Sequence, residues 1–118
     1  MNLVRLAAIL GFVGVALGAF GAHALRGRVA PELIEVWKTG VLYQLIHSLA
    51  LLALAALGPR AGRPQLVAAL FTAGIAVFSG SLYLLVLTGQ RGWGAVTPAG
   101  GLAFLAGWIV LVISARRS

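Results

Sequence analysis

The sequence predicts an all-α fold: an integral membrane four-helix bundle with a short interfacial helix between spans 1 and 2. Three observations carry this. Of 118 residues, 61% are hydrophobic and the mean hydropathy is +1.04. Only 9% are charged, against about a quarter in a soluble domain. Four apolar stretches, residues 3–24, 39–57, 65–88 and 99–115, would extend about 33, 29, 36 and 26 Å at 1.5 Å per residue. A hydrocarbon core is about 30 Å thick, so each is long enough to cross it, the last marginally. Backbone groups in lipid must be satisfied within the segment, which makes these helices. The whole of 1–118 reads as a single membrane domain.

The elements follow in order. The first stretch has Arg5 ahead of its apolar run and Ala22-His23-Ala24 at its end, an arrangement that also suits a signal peptide. The run is long for one, and it is read as a retained span. Residues 25–38 are polar, and Pro31 opens a helix there with Glu32 and Glu35 in its first turns, where the dipole favours them. Leu33, Ile34, Val36 and Trp37 alternate with the charged positions. This is the interfacial helix, with Trp37 at headgroup level and Gly40 marking the bend into the second span. Residues 58–64 form a tight turn, and Pro64 opens the third helix. Residues 89–98 form the last connection, where Thr97-Pro98 caps and starts the fourth helix.

Charge excludes several functions. The basic side chains are eight Arg and one Lys, against two Glu. The resulting pI of about 11.8 reflects missing carboxylates, not a basic face, so no nucleic-acid partner is expected. No apolar stretch contains an acidic residue. Paired-carboxylate catalysis within the membrane, and coupling that needs an intramembrane carboxylate, are thereby excluded. Cysteine is absent. The two histidines lack any ligand spacing or neighbouring carboxylate, so neither a metal site nor a cofactor is expected. No catalytic motif is present, and the chain is not expected to be an enzyme.

Small residues form stripes. Gly11, Gly14, Gly18 and Gly21 share one face of the first span. Ala76 with Gly80, and Ala103 with Gly107, repeat the four-residue step in the third and fourth spans. Such stripes let backbones approach closely, within the chain or in a homo-oligomer.

Polar residues inside the spans cluster. Tyr43, Gln44 and His47 share a face of the second span; Thr72, Ala76, Ser79 and Tyr83 share a face of the third, with Ser81 beside them. His23 ends the first span and Thr97 begins the fourth. Counting depths from the loops places most of these in one half of the bundle. Two readings follow. The cluster bonds helices together, or it lines a polar pocket. The pocket would use His23, Tyr43, Gln44, His47, Ser79, Ser81, Tyr83 and Thr97. Arg26, Arg28, Arg91 and the start of the fourth helix would then draw anionic lipid headgroups.

Several runs carry a family resemblance. They are Gly18-Ala19-Phe20-Gly21-Ala22-His23-Ala24-Leu25, Trp37 through His47, Phe78-Ser79-Gly80-Ser81-Leu82-Tyr83, Leu87-Thr88-Gly89, Thr97-Pro98-Ala99-Gly100-Gly101 and Gly107-Trp108. In this order they resemble the small bacterial inner-membrane proteins of the domain-of-unknown-function 423 family, and their eukaryotic relative, transmembrane protein 256. The resemblance implies four spans and no established activity. The chain is expected to be a non-enzymatic structural or assembly partner; the alternative is a lipid-binding, small-ligand-binding or transport-associated protein. The expected location is the bacterial cytoplasmic membrane. Arg5, Arg60, Arg63, Arg116 and Arg117 lie on the side of the termini, against Arg26, Arg28, Lys38 and Arg91 opposite, which places both termini in the cytoplasm.

Overall fold

A computed structural model describes residues 2–116. The first span is α1 (Leu3–Phe20), continued by a π-helical turn at Gly21–Leu25. Asn2 starts it, its side chain accepting from the Arg5 N–H at 2.8 Å. The second span is one long helix, α2 (Pro31–Leu57), followed by a 3₁₀ turn at Gly58–Ala61. The third comprises α3 (Pro64–Gly74), a π-helical turn at Ile75–Ser79 and α4 (Gly80–Thr88). A 3₁₀ turn at Arg91–Ala95 leads into the fourth span, α5 (Thr97–Ser114).

Three boundaries differ from the sequence reading. The interfacial stretch is not a separate helix but the first two turns of α2. Gly40 does not mark a bend: it lies within the continuous helix α2, and a Cβ there would fall 2.9 Å from Tyr83 Cε1. Thr97 is the first helical residue instead of the cap, and its hydroxyl is engaged with Ser81 at 2.6 Å.

The helices pack as two antiparallel hairpins, joined through α2. α1 runs against α2 along its length, and the third span packs against both α2 and α5. Two apolar clusters fill the interior. One, at the end carrying the termini, is built on Leu51, Leu54, Val67, Phe71 and Phe104; the other holds Leu25, Trp37, Val41 and Val86. The molecule measures 50 × 26 × 21 Å, long enough for the hydrocarbon core and both interfaces, about 40–45 Å together. Its outer surface is apolar: Phe12, Val112 and Ile113 are each more than three-quarters exposed. In water such a surface would be unfavourable, and in a bilayer it is the lipid-facing side.

Both described ends of the chain lie beside the 58–63 turn. The Arg116 N–H donates to the Arg60 carbonyl at 2.8 Å. Gly62 (φ +81°) sits against the Ser114 carbonyl, where no side chain would fit. Asn2 and Leu3 share a cleft with Pro64 and Gln65.

Candidate functional site

α2 carries Tyr43, Gln44 and His47 and receives the bonds of Ser79 and Tyr83. Along its α1-facing side runs a register of close approaches. Gly11 faces Ser48, Gly14 faces Gln44 and Leu45, Gly18 faces Val41, and Gly21 faces Trp37. A Cβ at Gly21 would collide with the Trp37 indole. The four glycines thus seat α2 side chains within this chain. Gly107 seats the Phe71 ring on the fourth span. Gly80 does not take part: nothing lies within 4 Å of its Cβ position. Ala76 is exposed in the cleft between the first and third spans, and Ala103 is half-buried. The π-helical turn explains the difference. It inserts a residue between positions 75 and 79, so the four-residue step from Ala76 to Gly80 no longer stays on one face. The tight contacts between the third and fourth spans are made by Gly74 against Phe104, and by Gly100 against the Phe78 backbone.

The polar residues resolve into three groups. In the first, Gln44 joins three spans: its Nε2 donates to the Leu10 carbonyl at 2.9 Å, and its Oε1 accepts from the Tyr83 hydroxyl at 2.7 Å. Ser79, fully buried in the π-helical turn, donates to the Gly40 carbonyl at 2.7 Å. Ser48 donates to the Gln44 carbonyl at 2.6 Å. The second group ties α2 to α5. His47 Nδ1 is 2.9 Å from the Tyr43 carbonyl, and Trp108 Nε1 is 3.1 Å from His47 Nε2. A carbonyl only accepts and an indole N–H only donates. His47 is therefore the neutral tautomer protonated at Nδ1. Its ring stacks on Phe104 at 3.7 Å. The third group is Ser81 with Thr97, linking the third and fourth spans.

His23 joins none of these. It is exposed, and its Nδ1 lies against the Ala19 carbonyl of its own helix at 2.9 Å. Tyr43 is also set apart, packing on Phe78 at the rim of a groove between the second and fourth spans. That groove, about 470 Å³, is lined by Tyr43, His47, Phe78, Leu105 and Trp108 among others. Arg26 lies with Lys38 and Glu35 in a cleft that excludes Arg91.

The sequence reading missed two residues. Trp37, read as an interfacial residue, also has an interior role: it is buried and donates from Nε1 to the Leu17 carbonyl at 2.7 Å. Trp108, half-exposed, supplies the donor to His47. A tryptophan within an apolar span needs a partner for its N–H, which was the available signal.

Among the described residues every buried side-chain nitrogen and oxygen has a hydrogen-bond partner. Four apolar spans, an apolar perimeter and an interior polar network define an integral membrane helical bundle. The chain belongs to the DUF423 family of proteins of unknown function, whose model matches residues 17–101. It is 43% identical over 117 residues to the UPF0382 membrane protein YwdK of Bacillus subtilis, covering 97% of this chain and 95% of that one. Against the UPF0382 inner membrane protein YgdD of Escherichia coli K12 it is 46% identical over 113 residues, covering 94% and 86%. The UPF0382 membrane protein SAB0533 of Staphylococcus aureus is 42% identical over 112 residues, covering 94% and 92%. None of these names states an activity. No solved structure matches the chain.

Proposed function

We propose that this chain is a non-enzymatic protein of the bacterial cytoplasmic membrane, with both termini inside, that serves as a structural or assembly partner. The observation that carries the reading is the bond pattern of Gln44. From the second span its amide bonds both the first and the third, one N–H donating to Leu10 and the oxygen accepting from Tyr83. Among the described residues every buried polar side-chain atom is bonded within the chain, which supports a role in holding the helices together. Native mass spectrometry of the purified protein tests this. The expected spectrum carries no small molecule that depends on Gln44, Ser79 or Tyr83. A co-purifying compound lost in Gln44→Leu, with the protein still folded, would overturn the reading.

A second reading, a lipid or small-ligand protein, is favoured by the aromatic groove at Tyr43 and His47. Gly101→Leu would fill that groove. A bound amphiphile displaced by this substitution would support the second reading over the first.

A further inference from the structure

A cleft of about 340 Å³ opens at the end of the bundle opposite the termini. One wall is the turn after the first span, with Arg26, Gly27 and Val29. The other is one face of α2, with Pro31, Ile34, Glu35 and Lys38 at helical spacing. α2 has 27 residues and is about 40 Å long, some 10 Å more than the hydrocarbon core. With the span centred, about 5 Å projects at each end, so its first turn stands outside the hydrocarbon and Lys38 lies just within the edge, from which its long side chain reaches outward. The cleft therefore straddles the boundary between the hydrocarbon and the headgroups, with Val29 and Ile34 forming a half-buried apolar floor.

Its charges are mixed: two cations and one carboxylate. Lys38 Nζ and Glu35 Oε2 are 3.4 Å apart, with side chains 59% and 74% exposed. A long, exposed pair of this kind contributes little and opens readily to another partner. We propose that the cleft binds the headgroup of a phosphatidylethanolamine lipid. The Arg26 guanidinium and Lys38 ammonium receive the phosphodiester, and the Glu35 carboxylate receives the primary ammonium. An arginine fork suits the phosphate oxygens. A phosphoglycerol headgroup offers Glu35 no cation. A choline headgroup offers a cation without N–H donors. The complementarity thus selects the zwitterion with a primary amine.

The test uses the full chain in detergent with equimolar phosphatidylethanolamine, phosphatidylglycerol and phosphatidylcholine, read by native mass spectrometry. The wild type is expected to retain the ethanolamine lipid several-fold over either competitor. Glu35→Gln should abolish that preference while phosphatidylglycerol retention holds or rises. Arg26→Gln should lower retention of all three. All altered side chains are exposed, and equal melting temperatures would show that folding is intact. Equal or greater retention of phosphatidylglycerol by the wild type would overturn the proposal, leaving only attraction of anions to a basic rim. An ethanolamine preference unmoved by Glu35→Gln would also overturn it. Soluble glycerophosphoethanolamine should compete weakly; displacement at concentrations equal to the lipid's would refute a lipid site.

Discussion

The indole N–H of Trp108 meets Nε2 of His47 across 3.1 Å, tying the fourth span to the second. With it, every other span is bonded to α2. The first is held by Trp37 and Gln44, the third by Ser79 and Tyr83. Helices in lipid lack a hydrophobic drive toward each other, so close packing and such bonds supply the adhesion. Trp108→Phe keeps most of the ring and removes the donor. It leaves a buried imidazole nitrogen unpaired, at a cost of about 1 kcal/mol. The melting temperature in detergent should fall by a few degrees, and an unchanged value would mean that His47 finds another donor.

Gln44 and Tyr83 should be energetically coupled. Gln44→Leu strands both the Tyr83 hydroxyl and the contact to Leu10, costing about 1–3 kcal/mol, and Tyr83→Phe alone about 1 kcal/mol. Once Gln44 is gone, removing the Tyr83 hydroxyl should cost little or help. A double-mutant cycle on thermal or denaturant unfolding measures this, with an expected coupling of at least about 0.5 kcal/mol. Additive effects would show that the 2.7 Å bond is not formed in solution.

Two glycine substitutions should give opposite results. Gly100→Ala drives a methyl into the Phe78 main chain, which cannot swing aside as a side chain would. The cost should be about 1–3 kcal/mol. Gly80→Ala enters open space within a helix, where alanine is preferred by about 0.5–1 kcal/mol. Thermal unfolding of the two variants should move in opposite directions. A destabilised Gly80→Ala would mean that a second chain covers that face.

The contrast marks how far the residues could be read alone. The Gly11–Gly21 stripe was legible because all of it lies on regular helix, where spacing fixes the face. The Ala76–Gly80 step was not, because a π-helical turn at Ile75–Ser79 interrupts the regular spacing, and its Ser79 bonds to the Gly40 carbonyl 39 residues away. The clustering of Gln44, Ser79 and Tyr83 followed from depth along the spans. The separation of His47 from that group did not, because its partner Trp108 is 61 positions distant. Nor could depth show that His23 turns back onto its own helix.

Sidedness is directly measurable because the sequence has no cysteine. Asn2, the 58–63 turn and Arg116 share one end of the bundle, while Ala30 and Gly92 lie in the connections at the other. All four named positions are exposed. The sequence assigns five arginines to the terminal end, of which Arg117 lies outside the described residues, and four basic residues with both glutamates to the opposite end. The cationic side of a membrane protein stays in the cytoplasm. Cysteines placed singly at Ala30 and Gly92 should therefore react with a membrane-impermeant maleimide added outside intact cells. Cysteines at Asn2 and Arg116 should react only after the membrane is opened. The reverse pattern would invert the orientation. Labelling of all four from outside would show that five cations against four do not fix a single insertion, and that the chain enters the membrane both ways.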